Sequence, residues 1–105
     1  MTQPLSLSAQ RALRRLGSNI SMARRRRHWT QRDMAEQMGV SVSTVRRLES
    51  GDPGVALQHL LATCSVLGAI EQFNTLLDTR RDDVGLQLQD SELPTRIRTR
   101  QPVAH

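Results

Sequence analysis

The sequence predicts an all-α fold. Three observations carry that expectation. Apolar residues recur at spacings of three and four through most of the chain. Hydroxyl residues stand where those runs begin. Glycine stands just past where several of them end.

The first helix is expected from about Ser8 to Arg27. Leu13, Leu16, Ile20 and Ala23 form its apolar stripe, and Arg24 to Arg27 fill its last turn, where cations suit the helix dipole. Thr30 reads as the cap of a short second helix, Gln31 to Met38, with Asp33 in its first turn and Gly39 ending it. Ser41 reads as the cap of a third helix reaching Leu48 or Glu49. Gly51, Asp52, Pro53 and Gly54 form a turn. A fourth helix is expected over about Ala56 to Leu67, with Leu57, Leu60, Leu61, Cys64 and Leu67 inward. A fifth follows over about Ala69 to Thr79, with Ile70, Phe73, Leu76 and Leu77 apolar. Residues 82–89 fit either a short helix or a strand, and Asp82 and Asp83 favour the helix. From Pro94 the chain is polar, and a loose tail is expected.

A chain of 105 residues supports one modest core. All fifteen of its basic residues are arginine, against ten acids. They are unevenly placed: residues 1–50 hold ten Arg and three acids, while residues 51–92 hold two Arg and seven acids. Residues 93–105 hold three Arg and no acid, so one end is suited to a polyanion and the middle is not. Trp29 and Phe73 are the whole aromatic complement, too little for modules that stack on unpaired bases. A single cysteine, Cys64, excludes an intrachain disulfide and fits a buried core thiol in the cytoplasm. His28, His59 and His105 have no metal-ligand spacing, and no catalytic motif is present, so neither enzyme activity nor a cofactor or metal is expected. The most apolar run, Leu60 to Ile70, is 11 residues, short of the ~18 that span a bilayer. No membrane association is expected.

Gln31 to Leu48 reads as one unit. Two short helices joined through a glycine must cross steeply to share a core, with Ala35 allowing close approach. Met34, Met38, Val40, Val45 and Leu48 then point to one side. Val42, Ser43, Arg46 and Arg47 point away, giving the third helix a free face that fits a DNA major groove.

The stretch WTQRDMAEQMGVSVSTVRRLESG resembles the helix-turn-helix of the phage-repressor-like, Cro-type XRE family. Gln31, Ala35, Gly39, Val45, Leu48, Glu49 and Gly51 carry the likeness, and the match covers about residues 16–78. It implies a five-helix phage-repressor-like domain over 1–79, with the helix-turn-helix at 31–48. An extension for dimerisation or partner binding (80–93) and a flexible basic tail (94–105) would follow. It also implies that Ser41, Val42, Ser43 and Arg47 meet bases or nearby phosphates, that Arg46 and Gln31 meet phosphate, and that Arg24 pairs with Glu49. Ala56 departs from the family, which usually has Ser or Thr capping the fourth helix there.

More narrowly, LESGDPGVALQHLL and the later LPTRIR are similar to HipB-like antitoxins, small repressors encoded beside a HipA-like serine/threonine kinase toxin. The implied function is a sequence-specific repressor of double-stranded DNA, binding a palindromic operator as a homodimer. The alternative is a stand-alone XRE-type repressor without a toxin. Ile70, Phe73, Leu76 and Leu77, with Val84, Leu86 and Leu88 beyond, are the candidate dimer face. In the tail, Arg96, Arg98 and Arg100 alternate with Thr95, Ile97 and Thr99. An extended tail would carry one cationic side and one side bearing Ile97, able to add to a toxin's sheet edge or to lie along DNA.

Overall fold

The structure is a computed structural model that describes residues 3–78 and 82–92. Among the described residues six helices run in the order α1 (Leu7–Arg26), α2 (Gln31–Met38), α3 (Val42–Ser50), α4 (Leu57–Val66), α5 (Ile70–Asn74) and α6 (Asp83–Glu92). The chain divides into two compact units between Phe73 and Asn74.

In the first unit, α1 packs along α3, and α2 packs against both α3 and α4. The core is Ile20, Met34, Ala35 and Val45, with Trp29, Met38, Val40, Val42, Val66 and Leu67 packed around it. Met34 and Val45 are fully buried, one from each side of the helix-turn-helix crossing.

The helix starts follow the sequence with one shift. Expected from about Ser8, α1 begins at Leu7 and is capped by Ser6, which accepts from the Ala9 N–H at 3.2 Å. Thr30 and Asp33 form a reciprocal capping box on α2, with bonds of 3.0 and 2.8 Å. Ser41 caps α3, accepting from the Thr44 N–H at 3.2 Å. Ala56 precedes α4 with no side-chain bond to offer.

The helix ends share one device. After each of α1 to α4 a residue in the left-handed region lets the chain double back: His28, Gly39, Gly51 and Gly68. The next N–H then donates to a carbonyl of the last turn: Trp29 to Arg24 (3.2 Å), Val40 to Ala35 (3.0 Å), Asp52 to Arg47 (3.0 Å) and Ala69 to Cys64 (2.7 Å).

Several expectations are corrected. The buried stripe of α1 is Gly17, Ile20 and Arg24, and Leu16 is exposed. A Cβ on Gly17 would lie 2.8 Å from the Leu48 carbonyl oxygen, so the missing side chain is what brings α1 against α3. On α4 the buried residue is Thr63, whose hydroxyl donates to the His59 carbonyl at 2.9 Å and is thereby satisfied. Leu57 is exposed and Cys64 only half-buried. Burial pushes the Cys64 thiol up, away from its reactive anion.

The fifth helix stops at Asn74, short of Thr79. Leu76 and Leu77 are exposed, and Leu77 takes a left-handed backbone. An apolar spacing holds a helix only where its stripe is covered. Residues 83–92 are helical, which settles helix against strand for 82–89. Asp82 accepts from the Gly85 N–H at 2.9 Å and so caps this helix.

Candidate nucleic-acid interface

The third helix divides cleanly into a supporting side and a free side. Val45 and Leu48 are buried in the core, while Ser43, Arg46 and Arg47 are exposed. Val42, expected on the free side, is half-buried against the core instead. At the first turn of a helix that follows a tight crossing, its apolar side chain reaches back to α2's packing surface. Ser41 is exposed, but its hydroxyl is engaged as the cap and also meets Thr44 Oγ1 at 3.1 Å.

Arg24 and Glu49 fix this helix to α1. Arg24 Nε and Nη2 donate to the two carboxylate oxygens of Glu49 at 2.6 and 3.1 Å, with side chains only 9% and 8% exposed. A third donor, Nη1, reaches the Trp29 carbonyl at 2.7 Å. Gln31 Nε2 donates to the same carboxylate at 3.0 Å. Desolvation works to raise the Glu49 carboxyl. The hydrogen bonds from Arg24 and Gln31, with the charges of Arg24 and Arg25, outweigh it and hold the group below its ordinary range. The hydrogen bond to Glu49 conversely raises Arg24. Gln31 thus commits one amide hydrogen inward.

Beside the free face lies an open cleft of about 420 Å³ between α1 and α3, with Met22 among its lining residues. Ser18, Ser21 and Arg25 line one wall, and Arg46 and Ser50 the other, with Gln31 at its end. Arg46 and Gln31, which the resemblance gives to phosphate, share this cleft with Ser18, Ser21 and Ser50. For Ser18 and Ser21 the sequence signal is the 18, 21, 25 spacing, which sets them with Arg25 on one side of α1. Arg27 differs from its neighbours. Its guanidinium donates to the Ala23 and Leu67 carbonyls at 2.8 and 3.1 Å and sits 6.0 Å from the Trp29 ring centre, so it straps α1 to the end of α4.

A family model described as a helix-turn-helix domain matches residues 10–73. The chain belongs to the helix-turn-helix family. It is of the XRE, Cro-like type, and the match runs from within α1 to within α5. No curated protein and no solved structure gives a significant match. In this helix-turn-helix protein α2 and α3 are the two helices of the motif, and its class is that of DNA-binding regulators.

The remaining predicted residues fall in both units. Ile70 and Phe73 are half-buried in the first unit, and Leu76 and Leu77 are exposed in the second. On α6, Val84 and Leu88 are exposed and Leu86 is half-buried. Arg96, Ile97, Arg98 and Arg100 lie outside the described residues. Among the described residues no group of three His, Cys, Asp or Glu could hold a metal ion, and no helix is long and apolar enough to cross a membrane.

Proposed function

We propose that the chain is a cytoplasmic, non-enzymatic repressor that reads double-stranded DNA through α3, without a cofactor. The observation that carries this reading is the free face of Ser43, Arg46 and Arg47 on a helix tied down from behind by Val45, Leu48 and Glu49. A helix held this way can enter a major groove while Arg25, Arg46 and Gln31 meet the flanking phosphates. One such helix reads only a few base pairs, so a homodimer on a palindromic operator is the working form. The GDPGV turn and the arginine-rich tail support the finer role: antitoxin to a HipA-like kinase. The kinase encoded by the adjacent gene should co-purify with the full chain and be lost when the chain ends at Pro94.

Selection from a random-sequence duplex library tests the DNA reading. The wild type should enrich a two-fold symmetric site, and Arg47→Ala should weaken binding to it by about 1–3 kcal/mol. Unchanged affinity and selectivity in Arg47→Ala would refute the assignment of α3.

A further inference from the structure

We infer that Asp52 determines how Arg47 reads DNA, making the carboxylate a specificity residue although it is not on the recognition helix. The inference rests on the reading of α3 as the helix that enters the groove. Arg47 Nε donates to Asp52 Oδ2 at 2.9 Å. Among the described residues neither terminal nitrogen of Arg47 has a hydrogen-bond partner. The guanidinium is therefore held by its inner donor while its outer fork stays open.

Guanine presents two acceptors, O6 and N7, side by side in the major groove, and two parallel N–H groups of an arginine match them. An unrestrained arginine can offer either its end, through the two terminal nitrogens, or its side, through Nε and one terminal nitrogen. With Nε taken by Asp52, only the end-on fork remains. The chain thus presents one approach to one base instead of several.

Asp52 is itself well fixed. Its Oδ1 accepts from the Gly54 N–H at 2.7 Å, and its own N–H donates to the Arg47 carbonyl at 3.0 Å. The bonds to Arg47 and to Gly54 hold the Asp52 carboxyl below its ordinary range, so it is charged throughout the neutral region. A Cβ at position 54 would lie 3.2 Å from Arg47 Nη2 and from Asp52 Oδ1, so glycine there leaves the pair its space.

The pair also restrains Arg47 from the wrong contacts. A free arginine gains from any phosphate, whatever the sequence. A fixed carboxylate beside it offsets that gain and repels the backbone. Asp52 should lower affinity for arbitrary DNA while sharpening the choice of base.

The test uses the full chain as wild type, Asp52→Asn, Asp52→Ala and Arg47→Ala, each checked for an intact thermal transition. Asparagine keeps an acceptor for the Gly54 N–H, so that variant retains the turn. Each is put through selection on a random-sequence duplex library and titrated with unselected duplex at several salt concentrations. The expected result is guanine at one position per half-site for the wild type. That preference should fall by about tenfold in the Asp52 variants, with unselected duplex bound more tightly and more steeply dependent on salt. If both Asp52 variants keep the preference while Arg47→Ala loses it, the proposal is overturned and the recognition-helix reading stands. If Arg47→Ala also keeps it, the reading of α3 fails and takes the proposal with it.

Discussion

Gly17 and Glu49 show how single residues set the position of α3. A glycine inside a helix is ordinarily unfavourable by about 1 kcal/mol relative to alanine. At position 17 the backbone of Leu48 and Glu49 occupies the space a Cβ would need. Gly17→Ala should therefore destabilise the protein by about 1–3 kcal/mol despite its helix propensity, read as a lower denaturant midpoint. A stabilised variant would mean that α1 can move off α3 at little cost. Glu49 makes stability depend on acid. Its folded carboxyl titrates below the ordinary range, so its contribution is complete at neutral pH and down to that range. It is lost as pH falls through the folded value, where the unfolded chain already binds the proton. Thermal midpoints measured from neutral to acid pH should drop below the ordinary carboxylate range, and Glu49→Gln should flatten that drop. Neither role is legible as apolar spacing. A glycine and an arginine in a buried stripe are invisible to a count of apolar residues, which is why Leu16 was placed inward and Gly17 was not.

Among the elements, the short ones with caps were the most legible. Thr30, Gly39, Ser41 and Gly51 mark α2 and α3 because each supplies a backbone partner or conformation that few other residues supply. The fourth and fifth helices were harder to read. Leu57 and Leu77 continue the apolar spacing without being covered, and Thr63 is covered without being apolar. The uncapped start of α4 gives a direct prediction. Ala56 already has the extended backbone of a cap residue (φ −63°, ψ 144°). Ala56→Ser should supply the missing acceptor and stabilise the protein by about 1 kcal/mol, seen as a raised midpoint with an unchanged denaturant slope. A neutral result would show that solvent already satisfies the first turn equally well.

At the scale of the molecule, the charge asymmetry was legible from the sequence, and its consequence is the cleft walled by Arg25 and Arg46. The unit boundary was not, because Ile70, Phe73, Leu76 and Leu77 read as one helical stripe and fall on both sides of it. Among the described residues every member of the core cluster precedes that boundary. A chain ended after Asp78 should accordingly keep a cooperative unfolding transition and a helical circular-dichroism spectrum. Loss of cooperativity in that fragment would show that later residues complete the core.

The two-sided construction of α3 has a consequence for how such a protein can change. Gly17 and Arg24 grip this helix from behind at points about two turns apart along α1, through the backbone of Leu48 and Glu49 and the Glu49 carboxylate. Ser43, Arg46 and Arg47 can therefore be exchanged without disturbing what holds the helix in place. A lineage could move from one DNA site to another through single replacements, each intermediate remaining folded. Only Arg47 carries a dependency, because Asp52 is matched to it. Changes at 43 and 46 are open singly, whereas position 47 is expected to drift together with position 52.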